Sequence, residues 1–227
     1  MRLLLIRHGQ TPANVLGQLD TDKPGPGLTR LGGLQAAAVP GALDQEHIGG
    51  IYATTLTRTR LTAEPLAERL GLDITVLDGL REIEAGDIED RSDPVSVKTY
   101  VTTALSWARG DLDPRMPGAS DGHEFFDRFD ASIEEIVAAG AETTAVFSHG
   151  MAIRCWASAR SANIDGSYAA SHQLDNTGMV VLDSDEHGRW QMIQWHTPPI
   201  GGLTLHDAAA VDPTGESVQA GGPDPSE

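Results

Sequence analysis

The stretch that decides the fold is Leu3-Leu4-Leu5-Ile6-Arg7-His8-Gly9-Gln10-Thr11. Four consecutive apolar residues indicate a strand buried on both faces, as in a sheet that helices cover on each side. The strand ends on a guanidinium, an imidazole and a glycine, and ligands of open α/β sheets bind outside the carboxyl ends of the strands. Arg7 and His8 are therefore candidate site residues, although a surface arginine and a loop histidine would also fit this stretch taken alone.

Length and charge limit the class of protein. The chain has 227 residues, of which 40% are hydrophobic, enough for one sizeable domain. Lys and Arg total 16 against 33 Asp and Glu, a net charge of −17. Phosphate backbones and anionic membranes would repel such a chain, so we expect neither nucleic acid nor a membrane as partner. No secretory signal or membrane-spanning run is visible, and the single cysteine, Cys155, fits a reducing compartment, so we expect a cytoplasmic protein.

Strand and helix patterns alternate along the first half of the chain. Short strands are predicted at residues 49–53 and 74–77, and each follows a helical pattern, which indicates a mostly parallel sheet. Near the end, apolar runs at 179–182 and 190–195 flank a turn and predict an antiparallel hairpin. The predicted fold is an α/β three-layer sandwich with a mostly parallel central sheet, an antiparallel edge hairpin and helices on both faces.

Composition sets the predicted boundaries of the domain. Residues 1–210 form one domain, in which residues 12–27 are a turn-rich loop and about 84–124 are an insertion covering the carboxyl edge of the sheet. Residues 211–227 contain Pro, Gly, Ser and acidic residues with almost nothing to bury, so we expect a disordered acidic tail.

Two predicted strands end in the same way, Ile6-Arg7-His8-Gly9 and Phe147-Ser148-His149-Gly150. If these strands are neighbours, both imidazoles meet at one edge of the sheet. The second strand runs straight into a helix, whose free amides would face the same place.

The second and third strands add charged groups at this edge. Arg58 begins the helix after the second strand, with Arg60 as the alternative, and a guanidinium matches phosphate or carboxylate. Glu82 follows the third strand, with Glu84 as the alternative.

These segments resemble the signature motifs of the histidine phosphatase superfamily, also called the phosphoglycerate-mutase-like family. The matching stretches are R-H-G-[EQ]-T-x-x-N at Arg7 to Asn14, L-T-x-x-G-x-x-Q-A at Leu28 to Ala36, S-x-L-x-R-A-x-x-T-A around Leu56, Arg58, Thr62 and Ala63, L-R-E-I at Leu80 to Ile83, and S-H-G-x-x-x-R at Ser148 to Arg154. The resemblance covers nearly the whole predicted domain.

The resemblance implies a role for each candidate. His8 would attack phosphorus and form a phosphohistidine, while Arg7, Arg58 and His149 would hold the phosphoryl oxygens. Glu82 would protonate the leaving oxygen and then help activate water, which requires a pKa raised by burial. The implied substrate-binding residues are Thr11, Asn14 and Gly150, although Asn14 also fits a simple turn residue. The implied partner is a small phosphorylated metabolite.

Several departures from the family pattern leave the substrate open. Thr54 or Thr55 stands where the family usually has serine, residues 86–90 replace G-x-W-E-G, and residues 121–125 replace G-G-E-S. The mutase segment E-R-H-Y-G is missing and the insertion has few cations, so we favour a metal-independent phosphatase. The alternatives are a phosphoglycerate mutase and a catalytically impaired phosphoryl-binding protein.

We expect no cofactor and no metal site. The six remaining histidines have no spacing typical of metal ligands, and Cys155 fits a core position. A monomer and a homodimer are both compatible with the sequence.

Overall fold

The computed structural model describes residues 1–215, and within them six strands form one sheet in the order β3-β2-β4-β1-β5-β6. Strands β1 to β4 are parallel, and β5 and β6 form the antiparallel hairpin at one edge. The strands are β1 (Arg2–Arg7), β2 (Gly50–Ala53), β3 (Ile74–Val76), β4 (Thr143–Ser148), β5 (Met179–Ser184) and β6 (Trp190–His196). The predicted fold class is confirmed.

Helices cover both faces of the sheet. Alternate β1 residues point to opposite faces, so Leu3 and Leu5 pack with α4, α5 and α6, whereas Leu4 and Ile6 pack with α2 and α3. The described part of the chain contains α1 (Pro12–Leu16), α2 (Arg30–Ala42), α3 (Thr57–Leu70), α4 (Pro94–Ala108), α5 (Gly122–Ala138), α6 (Gly150–Arg160) and α7 (Tyr168–Ser171). The continuous apolar run of β1 is thus explained by burial on both sides.

The register of β1 against β4 places the two His-Gly turns together. Arg7 pairs with Ser148 in the parallel ladder, and the amide of His8 donates to the carbonyl of Ser148 at 3.0 Å. His8 and His149 therefore leave adjacent strands at the same level, with their ring centroids 5.2 Å apart.

The segment predicted as a turn-rich loop contains a short helix, α1, so that prediction is wrong for residues 12–16. Thr11 caps the helix by accepting from the Asn14 amide, the Asn14 side chain accepts from the Thr11 amide, and Pro12 occupies the first turn. Gly17 ends the helix with a φ of 67°. A single turn is too short to show a helical repeat of apolar residues.

The segment 84–124 contains α4 and contacts the loop that follows α1. Buried Tyr100 on α4 donates to the Ile83 carbonyl at 2.8 Å. Leu19 exchanges backbone hydrogen bonds with residues Asp90 and Arg91. The segment thereby holds both the loop at Ile83 and the loop at Leu19 beside the carboxyl edge of the sheet.

The structure differs from the predicted tail in residues 211–215, which we call the C-terminal strap. Asp212 and Thr214 in this strap are buried. The remainder of the predicted tail, residues 216–227, lies outside the described residues. No helix within residues 1–215 is both long and apolar enough to cross a membrane.

Candidate active site

His8 lies buried directly after β1, and its ring orientation is determined by one hydrogen bond. Nδ1 lies 2.8 Å from the carbonyl oxygen of Gly9. Because a carbonyl oxygen can only accept, Nδ1 must carry the proton, which leaves the lone pair on Nε2. The backbone is equally well held, since the His8 carbonyl accepts from Asn176 Nδ2 at 3.1 Å.

The surroundings of His8 favour the neutral imidazole. Burial lowers its pKa well below the ordinary 6.5, and the positive charges of Arg58 and Arg7 lower the pKa further. A neutral imidazole with a free Nε2 is chemically a nucleophile near neutral pH.

Two buried guanidiniums flank the imidazole. Arg7 donates from Nη1 to the Leu174 carbonyl at 2.8 Å, and Arg58 donates from Nη2 to the Asp20 carbonyl at 2.8 Å. The Nε atoms of both arginines are buried and have no hydrogen-bond partner. Buried donors without partners are costly, so these two N–H groups point to an anionic ligand that would accept from them.

Glu82 is the buried carboxylate of the site, and it lies at the N-terminus of α6. Its Oε1 accepts from the amides of Ile83 at 2.9 Å and Ala152 at 2.7 Å, and its Oε2 accepts from the Met151 amide at 3.1 Å. Burial raises the pKa of Glu82 above its usual value, and the three amides and Arg58 oppose that rise. The free amides of α6, expected to face a ligand, are thus partly used to hold this carboxylate.

His149 is the second buried imidazole, and a threonine hydroxyl contacts it. Thr54 Oγ1 lies 3.0 Å from His149 Nε2, whereas Nδ1 has no partner. Burial lowers the pKa of His149 well below 6.5, so the ring is neutral. If the Thr54 hydroxyl donates to Nε2, the proton resides on Nδ1 and becomes a further free donor of the site.

Comparisons with known proteins identify the family to which the chain belongs. The family model described as histidine phosphatase superfamily (branch 1) matches residues 3–198. The chain belongs to the histidine phosphatase superfamily. Among curated relatives, the chain is 36% identical over 224 residues to the PE-PGRS family protein PE_PGRS11 of Mycobacterium tuberculosis; the match covers 91% of this chain and 38% of that protein. The chain therefore corresponds to well under half the length of that relative.

Two further relatives match over almost their whole length. Identity is 29% over 218 residues to the probable phosphoglycerate mutase GpmB of Shigella boydii, covering 93% of this chain and 98% of that protein. Among solved structures, a mycobacterial glucosyl-3-phosphoglycerate phosphatase in complex with VO3 superposes with a TM-score of 0.73 at 26% identity, covering 87% of this chain and 99% of that one. Proteins described as phosphatases and as mutases are therefore both among the relatives of this chain.

The structure brings the five predicted catalytic residues of the chain into one buried cluster. A cavity of about 10 Å³ lies between His8, Arg58 and Glu82, with room for roughly one water. Arg7 and His149 do not line this cavity, but Arg7 directly precedes His8 and the His149 ring centroid lies 5.2 Å from that of His8. A larger cavity of about 190 Å³ lies beyond Asp212 and is lined by Gln10, Asp175 and Asp207. The smaller cavity is the candidate site, because the predicted nucleophile His8, the predicted acid Glu82 and the cation of Arg58 line it.

The predicted substrate-binding residues have mixed outcomes. Thr11 and Asn14 line the small cavity, but their oxygens cap α1. Only the Asn14 Nδ2 points elsewhere, 3.4 Å from Asp212 Oδ1. Gly150 packs tightly against the site, because a Cβ there would lie 3.0 Å from Arg7 Nε and 2.9 Å from the Thr214 carbonyl. The alternatives Glu84 and Arg60 do not line this cavity.

Sequence reasoning missed the groups that hold the cluster. Asp212 and Thr214 contact Arg7 from the C-terminal strap, and Arg154 donates to the Thr214 carbonyl at 2.8 Å. Arg128 on α5 donates to three carbonyls of the loop that carries Glu82. Only Arg154 had a signal, since it is the last position of the S-H-G-x-x-x-R motif.

No group of three or more His, Cys, Asp or Glu side chains within residues 1–215 is arranged to hold a metal ion. Cys155 is buried, and burial raises its thiol pKa above the usual value. A thiol held in its neutral form is a core residue, as expected from the sequence.

Proposed function

We propose that this histidine phosphatase hydrolyses small phosphate monoesters through a phosphohistidine at His8, without a metal ion. The observation that carries the proposal is the hydrogen bond from His8 Nδ1 to the Gly9 carbonyl, which leaves Nε2 as a free lone pair inside a cationic, buried cluster. Phosphoryl transfer needs mainly positioning and charge stabilisation, which the two arginines supply.

The first step transfers the phosphoryl group to the protein. His8 Nε2 forms an N–P bond while the bond from phosphorus to the ester oxygen breaks. Protonated Glu82 gives its proton to that oxygen, and the alcohol leaves. Its burial supports this role, because a raised pKa keeps a population of the acid form available.

The second step releases the phosphoryl group to water. The Glu82 carboxylate, left by the first step, takes a proton from a water molecule that attacks phosphorus. The N–P bond breaks, His8 regains its lone pair, and inorganic phosphate forms. Arg7, Arg58 and the Nδ1 side of His149 would bind the phosphoryl oxygens through their unpartnered donors.

A phosphoglycerate mutase is the second candidate, because GpmB of Shigella boydii carries the description probable phosphoglycerate mutase. Charge near the cavity favours the phosphatase. Asp20 lines the cavity beside Arg58, and half-buried Glu89 accepts from the neighbouring Thr21 amide. A substrate with a carboxylate or a second phosphate on this side would meet negative charge.

The experiment is a phosphate-release screen over cellular phosphomonoesters in the presence of EDTA. We expect release of inorganic phosphate from at least one ester, its loss in His8→Ala, and its retention in the control His123→Ala, since His123 is exposed. Isomerised phosphoglycerate without free phosphate would favour the mutase. Phosphate binding without turnover of any ester would favour the impaired phosphoryl-binding protein.

Location in the cytoplasm remains a prediction.

A further inference from the structure

The C-terminal strap places a carboxylate on the guanidinium that would bind phosphate. Asp212 Oδ2 lies 2.5 Å from Arg7 Nη2, and that ion pair is almost fully enclosed. Asp212 Oδ1 meanwhile accepts from Asn14 Nδ2 at 3.4 Å and from the Thr214 hydroxyl at 3.2 Å. One carboxylate thus occupies Arg7 Nη2 and Asn14 Nδ2, two donors beside the unpartnered Arg7 Nε.

The strap is seated on the site by several further contacts. Thr214 Oγ1 accepts from Arg7 Nη2 at 2.9 Å, and the Thr214 carbonyl accepts from Arg154 Nη1 at 2.8 Å. Leu174 donates its amide to the Gly215 carbonyl at 3.0 Å. Gly215 has no space for a side chain, because a Cβ there would overlap Arg7 Nη1. The strap therefore packs on Arg7 as closely as a bound ligand.

The strap forms part of the wall of the cavity beside His8. The cavity at His8 holds about 10 Å³, roughly one water, and Thr214 is part of its wall. Arg7 and His149 are fully buried. The strap is bound through Arg7 Nη2, a donor of the same cation that the substrate needs, so the strap and a phosphoryl group would compete for this guanidinium.

We propose that the C-terminal strap is an internal anionic ligand that closes the site, and that a phosphate ester must displace Asp212 from Arg7 in order to bind. The proposal rests on the proposed function in one respect, that phosphoryl groups bind at Arg7. In the free protein the binding-competent state is only a fraction of the population, and the apparent Kd for phosphate is increased by the reciprocal of that fraction.

The test is the binding of inorganic phosphate to the full chain, measured by isothermal titration calorimetry. Asp212→Asn keeps the shape of the side chain but removes its charge, so the Arg7 guanidinium is freed more readily. We expect the Kd for phosphate to fall by about 3- to 10-fold in Asp212→Asn. The matched control is Asp207→Asn, because Asp207 lies just before the strap and accepts from Gln10 Nε2, 2.8 Å away, instead of from Arg7. We expect its Kd to stay within about 2-fold of the unmodified chain.

If the strap instead positioned Arg7 for phosphate, Asp212→Asn would raise the Kd for phosphate. Weaker phosphate binding in Asp212→Asn, or a Kd that does not change, would overturn the proposal. Hydrogen–deuterium exchange of the unmodified chain provides a second measurement that needs no variant. Saturating phosphate should increase exchange at the Thr214 and Gly215 amides, which now donate to Asp212. Decreased or unchanged exchange there would also overturn the proposal.

These measurements separate this proposal from the proposed function. Binding of inorganic phosphate requires no turnover, so tighter binding in Asp212→Asn with no ester hydrolysed would support the strap and contradict the phosphatase. Ester hydrolysis together with unchanged phosphate binding in Asp212→Asn would support the phosphatase and contradict the strap.

Discussion

His8 and His149 are two buried, neutral imidazoles that differ in which nitrogen is left free. The Gly9 carbonyl holds the proton of His8 on Nδ1, so Nε2 is free to attack. His149 instead has Nε2 occupied by Thr54 and Nδ1 free. The hydroxyl of Thr54 can either donate or accept, and only the donating arrangement places a proton on the free nitrogen of His149.

We expect Thr54→Val to lower kcat by about tenfold, less than the roughly 100-fold or greater loss that follows deletion of a transition-state donor itself. Without the hydroxyl, the neutral His149 ring is no longer held with its proton on Nδ1. Steady-state kinetics on the best ester from the screen measures this, with KM changing less than kcat.

Thr55→Val is the matched control for that variant, because the Thr55 hydroxyl donates to the side chain of Asp78 at 2.7 Å, away from the imidazoles. Thermal unfolding of both variants separates a folding defect from a catalytic one. If Thr54→Val folds normally and keeps the kcat of Thr55→Val, the role given to Thr54 is wrong.

At the scale of elements, the loop that carries Glu82 is held from two sides. The amides of α6 bind the Glu82 carboxylate, and Arg128 on α5 donates to the carbonyls of Gly79 and Arg81 from Nη1, at 2.7 and 2.9 Å, and to that of Glu82 from Nη2 at 2.7 Å. Burial lowers the pKa of Arg128 to about 10, and the group stays charged at neutral pH. The Glu82 carboxyl is thus positioned by two helices that are distant from it in sequence.

We expect Arg128→Met to destabilise the fold by about 3 kcal/mol, because three partly buried carbonyls lose their charged donor. We also expect Arg128→Met to slow the hydrolysis of esters with a poor leaving group more than the hydrolysis of p-nitrophenyl phosphate. The p-nitrophenolate leaving group needs little help from an acid. Chemical denaturation and the ratio of the two kcat values measure these effects. Arg160→Met is the control, because Arg160 pairs with Asp130 at the surface. Equal slowing of both classes of ester would contradict a positioning role for Arg128.

The sequence predicted the residues of the candidate site better than the segments that hold them in place. Two apolar strands ending in His-Gly were enough to indicate Arg7, His8 and His149, because strand ends meet at one edge of a parallel sheet. The α1 helix and the strap were missed for a different reason. The α1 helix is a single turn held by its Thr11 cap. The strap is a polar segment that packs on Arg7, and composition alone cannot reveal the burial of such a segment.

For the whole molecule, the buried imidazoles make stability depend on pH. His8 and His149 have pKa values lowered well below 6.5, so the unfolded chain binds protons below pH 6.5 that the folded chain does not. Their contribution to stability is present above pH 6.5 and is lost as the pH falls. Glu82 acts in the opposite direction, because its raised pKa costs stability when it is ionised, above its folded pKa, and this cost disappears on acidification.

We therefore expect Glu82→Gln to lose stability more steeply on acidification than the unmodified chain, because it lacks the opposing titration of Glu82. The slope from the two imidazoles together is about 1.4 kcal/mol per pH unit at pH 6.5 and approaches about 2.7 kcal/mol per pH unit roughly one unit lower. Denaturant unfolding at a series of pH values measures this slope. A free energy of unfolding that is flat between pH 6.5 and 5.5 in Glu82→Gln would show that the imidazoles are not held neutral.

The covalent intermediate is the central claim, and trapping it is the most direct test. Glu82→Gln should still transfer the phosphoryl group of ³²P-labelled p-nitrophenyl phosphate, whose leaving group needs no acid, but should release it to water slowly. Rapid quenching should then find label on His8, stable to base and lost in acid. Label that survives acid, label on a residue other than His8, or undiminished phosphate release by His8→Ala would contradict the account.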